Sequence, residues 1–294
     1  MCGIAGIITK KKNLSNLLKK LNEEIIHRGP DDAGSYICKK NRVGLTMTRL
    51  SIIGLEEGRQ PKFDKNKNII LIFNGEIFNY RILAHKYFPN EIIKSDTDII
   101  LKLYMKLGLR FVSELNGMFS IAIFDKNKKK LYIFRDRFGI KPLYYSNLNG
   151  NFYFCSELKP LEKILGNLSL SYSAISDFIS MGFIKNPFTV FKEINKLQPA
   201  SILEYCLNSN VIKIKKWYTI KTQNLKFKNQ KEVNELVEGQ ILNSLKLWTI
   251  SDVPISIMLS GGIDSSLLAA MYQQNQGEQM TTFSNVFKEK KYDR

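Results

Sequence analysis

The sequence predicts an α+β domain built mainly on antiparallel sheet, followed by the opening of a parallel α/β domain. Two observations predict this. Short apolar runs with turn residues between them recur from Val43 to Phe154. Beyond residue 232 the order changes to helix, strand, small-residue loop, helix and strand, the signature of a parallel-sheet unit.

Taken in order, Gly3 to Thr9 reads as a strand. Leu14 to Ile26 reads as a helix, because Leu14, Leu17, Leu18, Leu21 and Ile25 fall on one face. Residues 27–36, HRGPDDAGSY, read as a loop. Strands are expected at Asn68-IILIF-Asn74, Gly117-MFSIAIF-Asp125, Lys130-LYIF-Arg135, Pro142-LYY-Ser146 and Asn151-FYFC-Ser156, with the clearest hairpin turning at Lys126 to Lys130. Between them Ile100, Leu103, Tyr104 and Leu107 set a helix over Asp98 to Leu107, stopped by Gly108. A short helix is expected over 171–182 and strands over 197–218. Residues 221–232, KTQNLKFKNQKE, carry few apolar residues and read as a linker. Val233, Leu236, Val237, Ile241, Leu242 and Leu245 then trace an amphipathic helix. Ile255 to Leu259 reads as a buried strand, Ser265 to Tyr272 as a second helix and Thr281 to Phe287 as the next strand. The expected division is a first domain over 2–215, a linker over 216–232 and a partial second domain over 233–294.

Composition narrows the function classes. With 294 residues and 44% hydrophobic content, two domains with cores of their own are expected. The formal charge of +17 would suit an acidic partner, but the lysines are scattered with asparagines in turns such as Asp125-Lys-Asn-Lys-Lys-Lys130. That is a solvated surface, so no nucleic-acid partner is expected. No apolar stretch approaches the roughly 20 residues needed to span a bilayer, and MCGIAGIITKKK reverses the order of a secretory signal. Cys2, Cys38, Cys155 and Cys206 lie far apart, with only His27 and His85 to join them. The expected setting is a reducing cytoplasm, with no membrane association and no metal cluster of cysteines and histidines.

Cys2 follows the initiator methionine, and removal of Met1 would place its thiol beside a free α-amine. Such an amine has a pKa of roughly 7.7–8.0 and can act as the base that a thiol needs. Alone, a cysteine at this position is more often an ordinary small buried residue. Its company alters that. MCGIAGI, HRGPDDAG, RLSIIG, NGEIFNY, KSDTDIIL and RDRFGIKPLYY occur in this order, and together they resemble the class II glutamine amidotransferases. The resemblance covers about the first 200 residues and implies an amino-terminal-nucleophile hydrolase sandwich, αββα, with two antiparallel sheets.

An amidase acting on glutamine needs a cation, an anion and neutral donors around the scissile carbonyl. The resemblance implies Arg49 for the α-carboxylate, Asp96 for the α-ammonium, Asn74 and Gly75 for the oxyanion, and Glu76 for substrate recognition. Taken singly, Arg49 and Asp96 would be surface ion-pair residues and Asn74-Gly75 a hairpin turn. One departure is visible: where the family usually has a histidine before RLSI, this chain has Thr46-Met47-Thr48.

Ser260-Gly-Gly-Ile-Asp-Ser-Ser266 lies between a predicted strand and helix. Small residues there let backbone approach an anion, and a helix start aims N–H groups at it. As a bare string it is a helix cap; preceded by DVP and ISIML it resembles the pyrophosphate loop of ATP-pyrophosphatases. The resemblance implies ATP binding by Leu259, Ser260, Gly261, Gly262, Asp264, Ser265, Ser266 and Asn285, with Asp264 on Mg²⁺. Asn285-Val286 departs from the usual valine-glycine there.

A class II glutaminase joined to this loop looks most like the glutamine-hydrolysing asparagine synthetases, and SGGIDSS argues against phosphoribosyl and sugar-phosphate fusions. The resemblance implies glutamine, ATP and aspartate as substrates, no prosthetic group, and room for a homodimer. Another carboxylate acceptor, or a non-catalytic remnant, remains an alternative. The 294 residues are expected to hold a whole glutaminase and only the start of the synthetase, hence glutaminase activity without asparagine synthesis.

Overall fold

The computed structural model describes residues 1–222, 224–276 and 280–286. The chain divides into two compact units, Met1–Ile220 and Lys221–Arg294.

In chain order the first unit comprises β1 (Gly3–Ile8), α1 (Leu14–Ile25), β2 (Asp32–Cys38), β3 (Val43–Arg49), β4 (Lys62–Phe63), β5 (Ile69–Ile77), α2 (Tyr80–Tyr87), α3 (Asp96–Leu107), α4 (Phe111–Glu114), β6 (Gly117–Asp125), β7 (Lys130–Arg135), β8 (Tyr144–Leu148), β9 (Asn151–Cys155), α5 (Leu158–Leu165), α6 (Tyr172–Met181), β10 (Asn195–Lys196), β11 (Ser201–Cys206) and β12 (Val211–Lys216). The strands form two six-stranded antiparallel sheets, ordered β10-β8-β9-β1-β3-β2 and β12-β11-β7-β6-β5-β4.

Strand alternation explains the layering. Ile4 and Ile8 of β1 and Val43, Leu45 and Met47 of β3 meet Ile70, Ile72, Ala122, Phe124, Leu131 and Ile133 of the other sheet in one core. The intervening Ala5 and Ile7 face outward and take Leu14, Leu17, Leu18, Leu21 and Ile25 of α1, with Leu161 of α5. Each such side chain contributes about 1.5–3 kcal/mol when fully buried. On the outside of the second sheet α3 buries Ile99, Ile100, Leu103 and Tyr104. The Tyr104 and Phe134 rings both pack edge-on against Phe111. The result is the expected αββα sandwich.

Several expectations need correcting. The segment 27–36 is not all loop: Asp32 to Cys38 pairs along β3 as an edge strand, half-buried on alternate residues. With few apolar side chains to bury, it carries little strand signal. The strand expected to stop at Phe73 runs to Ile77, paired throughout with β6. The helix expected from Asp98 starts at Asp96, because Ser95 caps it by accepting from Asp98 N at 3.2 Å. The run at Pro142–Ser146 is a strand over Tyr144–Leu148 instead.

The second unit holds α7 (Gln230–Trp248), β13 (Ser256–Met258), α8 (Ile263–Gln276) and β14 (Thr281–Phe283). The two strands pair in parallel, as the sequence pattern required. Helix α7 begins three residues inside the expected linker, since Asn229 caps it through Glu232 N at 3.1 Å. The strand expected to be buried is not: Ser256 and Met258 are exposed and Ile257 is half-buried. Covering both faces of a parallel pair takes more elements than two helices. The last strand ends at Phe283; its expected final residue, Phe287, lies outside the described residues.

Candidate active site

Cys2 sits immediately before β1, and several contacts hold it in place. The Arg28 Nε donates to the Cys2 carbonyl at 2.9 Å, while its Nη1 donates to Glu157 Oε1 at 2.8 Å. His27 Nε2 lies 2.9 Å from that same Glu157 oxygen. Ser156 ties the adjoining strand through Ile4 N to its Oγ at 3.0 Å and through its own N–H to Ile4 O at 2.9 Å. Leu50 N donates to the Cys2 sulfur at 3.4 Å. Burial pushes the Cys2 thiol up; the Leu50 N–H and the positive charges of the terminus, Arg49 and Lys141 oppose it. The terminal amine, carried by Met1, is held below its ordinary value chiefly by burial, with Arg28 and Lys141 adding like-charge repulsion.

The end of β5 supplies neutral donors. On the far side of β6, Phe119 N–H donates to Asp136 Oδ2 at 3.2 Å and Phe119 C=O accepts from Asp136 N at 2.9 Å. Its partner Gly75 therefore stands in a non-hydrogen-bonded pair, and its polar backbone groups point away from β6. The same edge carries Phe73 N, which donates to Gln60 Oε1 at 2.6 Å, and Ile77 N, which donates to Asp96 Oδ2 at 3.2 Å. Between these two, the Gly75 N–H opens on a cleft that Cys2 also lines. Only glycine fits: φ is +152°, and a Cβ would lie 2.0 Å from Met118 O. Beside it Asn74 is fully buried, and both its amide oxygen and nitrogen lack hydrogen-bond partners. A wholly unsatisfied buried amide is costly and rare in a purely structural role.

Charged groups complete the cleft, which is open to solvent. Arg49 leaves the end of β3 and gives three N–H bonds to the carbonyls of Ile53, Gly54 and Leu55, fixing its fork. Asp96 opens α3, and burial lifts its carboxyl to about 7, with the Glu76 charge adding to the rise. Burial raises Glu76 too. Two carboxylates sharing one cleft favour a cationic group between them.

The five residues assigned to the glutaminase site besides Cys2, namely Arg49, Asn74, Gly75, Glu76 and Asp96, therefore all line one cleft with it. The position of the missing histidine is filled by threonines: Thr46 Oγ1 donates to Asn22 Oδ1 at 2.7 Å, and Thr48 Oγ1 to Ile25 O at 2.9 Å. Sequence reasoning passed over Arg28, Gln60 and Lys141. Arg28 and Lys141 stood inside the quoted motifs HRGPDDAG and RDRFGIKPLYY, but a single basic residue in a chain with 44 of them carries no individual signal.

In the second unit the loop after β13 turns at Gly261, φ +76°. Ser260 N donates to Ser265 Oγ at 3.3 Å, and that hydroxyl donates to Gly262 O at 3.2 Å. Leu259 N donates to Phe283 O at 2.8 Å, and Ser284 Oγ to Leu259 O at 2.7 Å, so the loop is held against β14. Gly261, Gly262, Asp264, Ser266 and Asn285 are exposed. The exposed glycine turn at the start of α8 fits a phosphate group. Among the described residues no cluster of three or more metal-ligating side chains occurs.

Residues 1–218 match the model of the glutamine amidotransferase domain, and residues 236–294 that of asparagine synthase. The chain is 34% identical over 284 residues to asparagine synthetase [glutamine-hydrolyzing] 1 of Bacillus subtilis, covering 93% of this chain and 44% of that one. The chain belongs to the glutamine amidotransferase domain family. A Methanocaldococcus jannaschii protein provisionally named asparagine synthetase [glutamine-hydrolyzing] 2 is 36% identical over 316 residues, covering all of this chain and 61% of that one. A relative of another name also matches: amidase chry2 of Gibberella zeae is 30% identical over 92% of this chain and 42% of its own. The chain thus spans about two fifths to three fifths of these relatives. Among solved structures, glutamine phosphoribosylpyrophosphate amidotransferase from B. subtilis shares the fold, with a TM-score of 0.56 at 14% identity over all of this chain and 68% of that one.

Proposed function

We propose that this protein hydrolyses glutamine at Cys2 and supplies the ammonia to ATP-dependent conversion of aspartate to asparagine. The observation that carries the glutaminase part is the pairing of the unsatisfied Asn74 amide with the outward Gly75 N–H in the cleft lined by Cys2. Two neutral donors converging beside a nucleophile are what a tetrahedral oxyanion requires.

The roles follow from the geometry. Removal of Met1 frees the α-amine of Cys2, which takes the proton from Sγ. The sulfur attacks the side-chain carbonyl carbon of glutamine, and the carbonyl electron pair moves to oxygen, where Asn74 Nδ2 and Gly75 N donate to it. Collapse expels ammonia with the proton held by the amine and leaves a γ-glutamyl thioester, which water hydrolyses to glutamate. Arg49, its fork preset by three carbonyls, takes the α-carboxylate; Asp96 takes the α-ammonium, with Glu76 beside it. Thr46 and Thr48 lie on the helix side of β3 and do no chemistry.

In the second unit Ser260, Gly261, Gly262, Asp264, Ser265 and Ser266 would hold the phosphates of ATP, with Leu259 and Asn285 against the adenine and Asp264 on its Mg²⁺. ATP would activate the acceptor carboxylate. Both nucleotide and metal come and go as substrate, and the setting is the cytoplasm. The names of the synthetase relatives favour aspartate as acceptor; the amidase relatives make a different carboxylate the second reading.

The experiment is glutamate release from glutamine by the purified chain and by Cys2→Ala. Turnover abolished by Cys2→Ala, at unchanged thermal stability, supports the reading. A wild-type chain that releases no glutamate overturns it.

A further inference from the structure

Lys141 is a buried lysine with no ion pair among the described residues; burial pushes its ammonium below the ordinary value, and the Glu76 charge opposes that most. Only 4% of the residue is exposed, and its backbone is clamped. Asp136 Oδ2 accepts from Lys141 N at 3.0 Å, and Arg135 Nε donates to Lys141 O at 2.9 Å. Asp136 Oδ1 also receives the N–H groups of Phe138 and Ile140, at 3.0 and 2.9 Å. The loop thus delivers one lysine to the cleft of Cys2 and Glu76. There the Lys141 Nζ reaches the sulfur of Met1 at 3.5 Å. Among the described residues it forms no ion pair. A thioether is a poor acceptor for a desolvated cation, and burying an unpaired charge is costly.

Met1 is bonded to Cys2, and its removal, on which the proposed function rests, takes away that sulfur. We infer that Lys141 is a positioning residue of glutamine hydrolysis: once Met1 is gone, its ammonium becomes the counter-charge of the Cys2 thiolate. When the thiol proton passes to the α-amine, sulfur gains a negative charge and nitrogen a positive one. A fixed cation at Lys141 stabilises the first and keeps the amine unprotonated beforehand. Glu76 on β5 is the competing partner, but no ion pair joins the two. The other charges facing Lys141 are Arg28 after α1, Arg49 at the end of β3, Asp136 in its own loop and the terminal amine. All of these remain when Lys141 alone is changed. Because the loop is held by backbone atoms, a side-chain replacement leaves its scaffold in place.

The test uses the chain freed of Met1 and follows iodoacetamide alkylation of Cys2 against pH by peptide mass spectrometry, beside glutamine kinetics. In Lys141→Met the alkylation midpoint rises by about one pH unit, a roughly tenfold loss of thiolate below it. The kcat/KM falls by a similar factor while KM holds. Lys141→Arg restores both, and Lys141→Gln, which keeps a donor but no charge, behaves as Lys141→Met. An unmoved midpoint in the uncharged variants overturns the inference, as does a rise in KM alone, which would assign Lys141 to Glu76 and the substrate. A wild type without glutaminase activity overturns the proposed function, while the alkylation midpoints still decide the inference.

Discussion

Replacing Asn74 by alanine should separate catalysis from folding in opposite directions. Asn74 is fully buried within the paired stretch of β5, and neither end of its amide is satisfied. Removing an unsatisfied buried amide relieves a desolvation penalty of about 1–3 kcal/mol. Against that stands the small void left by the truncated atoms, worth about 1 kcal/mol. The variant should therefore unfold within a few degrees of wild type or slightly above it, since about 1 kcal/mol moves Tm by roughly 2–4 °C in a domain of this size. Catalysis should suffer heavily: deletion of one oxyanion donor typically lowers kcat about 10²–10³-fold, or about 2.7–4 kcal/mol. Glutamate release and thermal unfolding of the same preparation give both quantities. A variant that keeps kcat within about fivefold of wild type, or loses more than about 2 kcal/mol of stability, refutes the assignment, because the amide would then be structural.

Other outcomes follow from the same geometry. Asp96 has a folded pKa of about 7 against an ordinary value of 3.8, so the folded state binds its proton more tightly. The stability this gives is full below about pH 4 and is lost as pH rises through 7. Asp96→Asn should flatten Tm against pH across that window and raise KM for glutamine; an unchanged pH dependence would remove the group from the cleft. Gly75→Ala must move a Cβ that lies 2.0 Å from Met118 O at a φ of +152°. A loss of at least about 1–3 kcal/mol is expected, and denaturant midpoints would reveal a neutral substitution. Intact mass should show that active protein lacks Met1, because an amide nitrogen at Cys2 cannot serve as base; turnover by a species retaining Met1 would end that part of the mechanism.

Much of this was legible in the chain itself. The five apolar positions of α1 follow from helical periodicity, and the hairpin at Lys126 from two apolar runs on either side of turn residues. The motifs brought Cys2, Arg49, Asn74, Gly75, Glu76 and Asp96 to notice, and these residues meet across β3, β5 and α3. Less visible was anything set by pairing rather than composition. The edge strand at Asp32–Cys38 has few apolar residues, and the extension of β5 through Asn74 and Gly75 depends on the register with β6. Arg28 and Lys141 became distinctive only through burial, which a count of basic residues conceals. In the second unit, Ile255 to Leu259 reads as buried because its apolar run presumes neighbours on both faces.

The most direct measurement of the central claim is the site of covalent capture by the glutamine analogue 6-diazo-5-oxonorleucine. Cys155 is fully buried, with its thiol pushed up to about 12, whereas Cys2 lines the cleft with Asn74 and Gly75. Peptide mass spectrometry of the inactivated protein should find one equivalent on Cys2 at a free amino terminus, with protection by glutamine. A label on Cys38, Cys155 or Cys206, or inactivation that leaves Cys2 unmodified, would contradict the account.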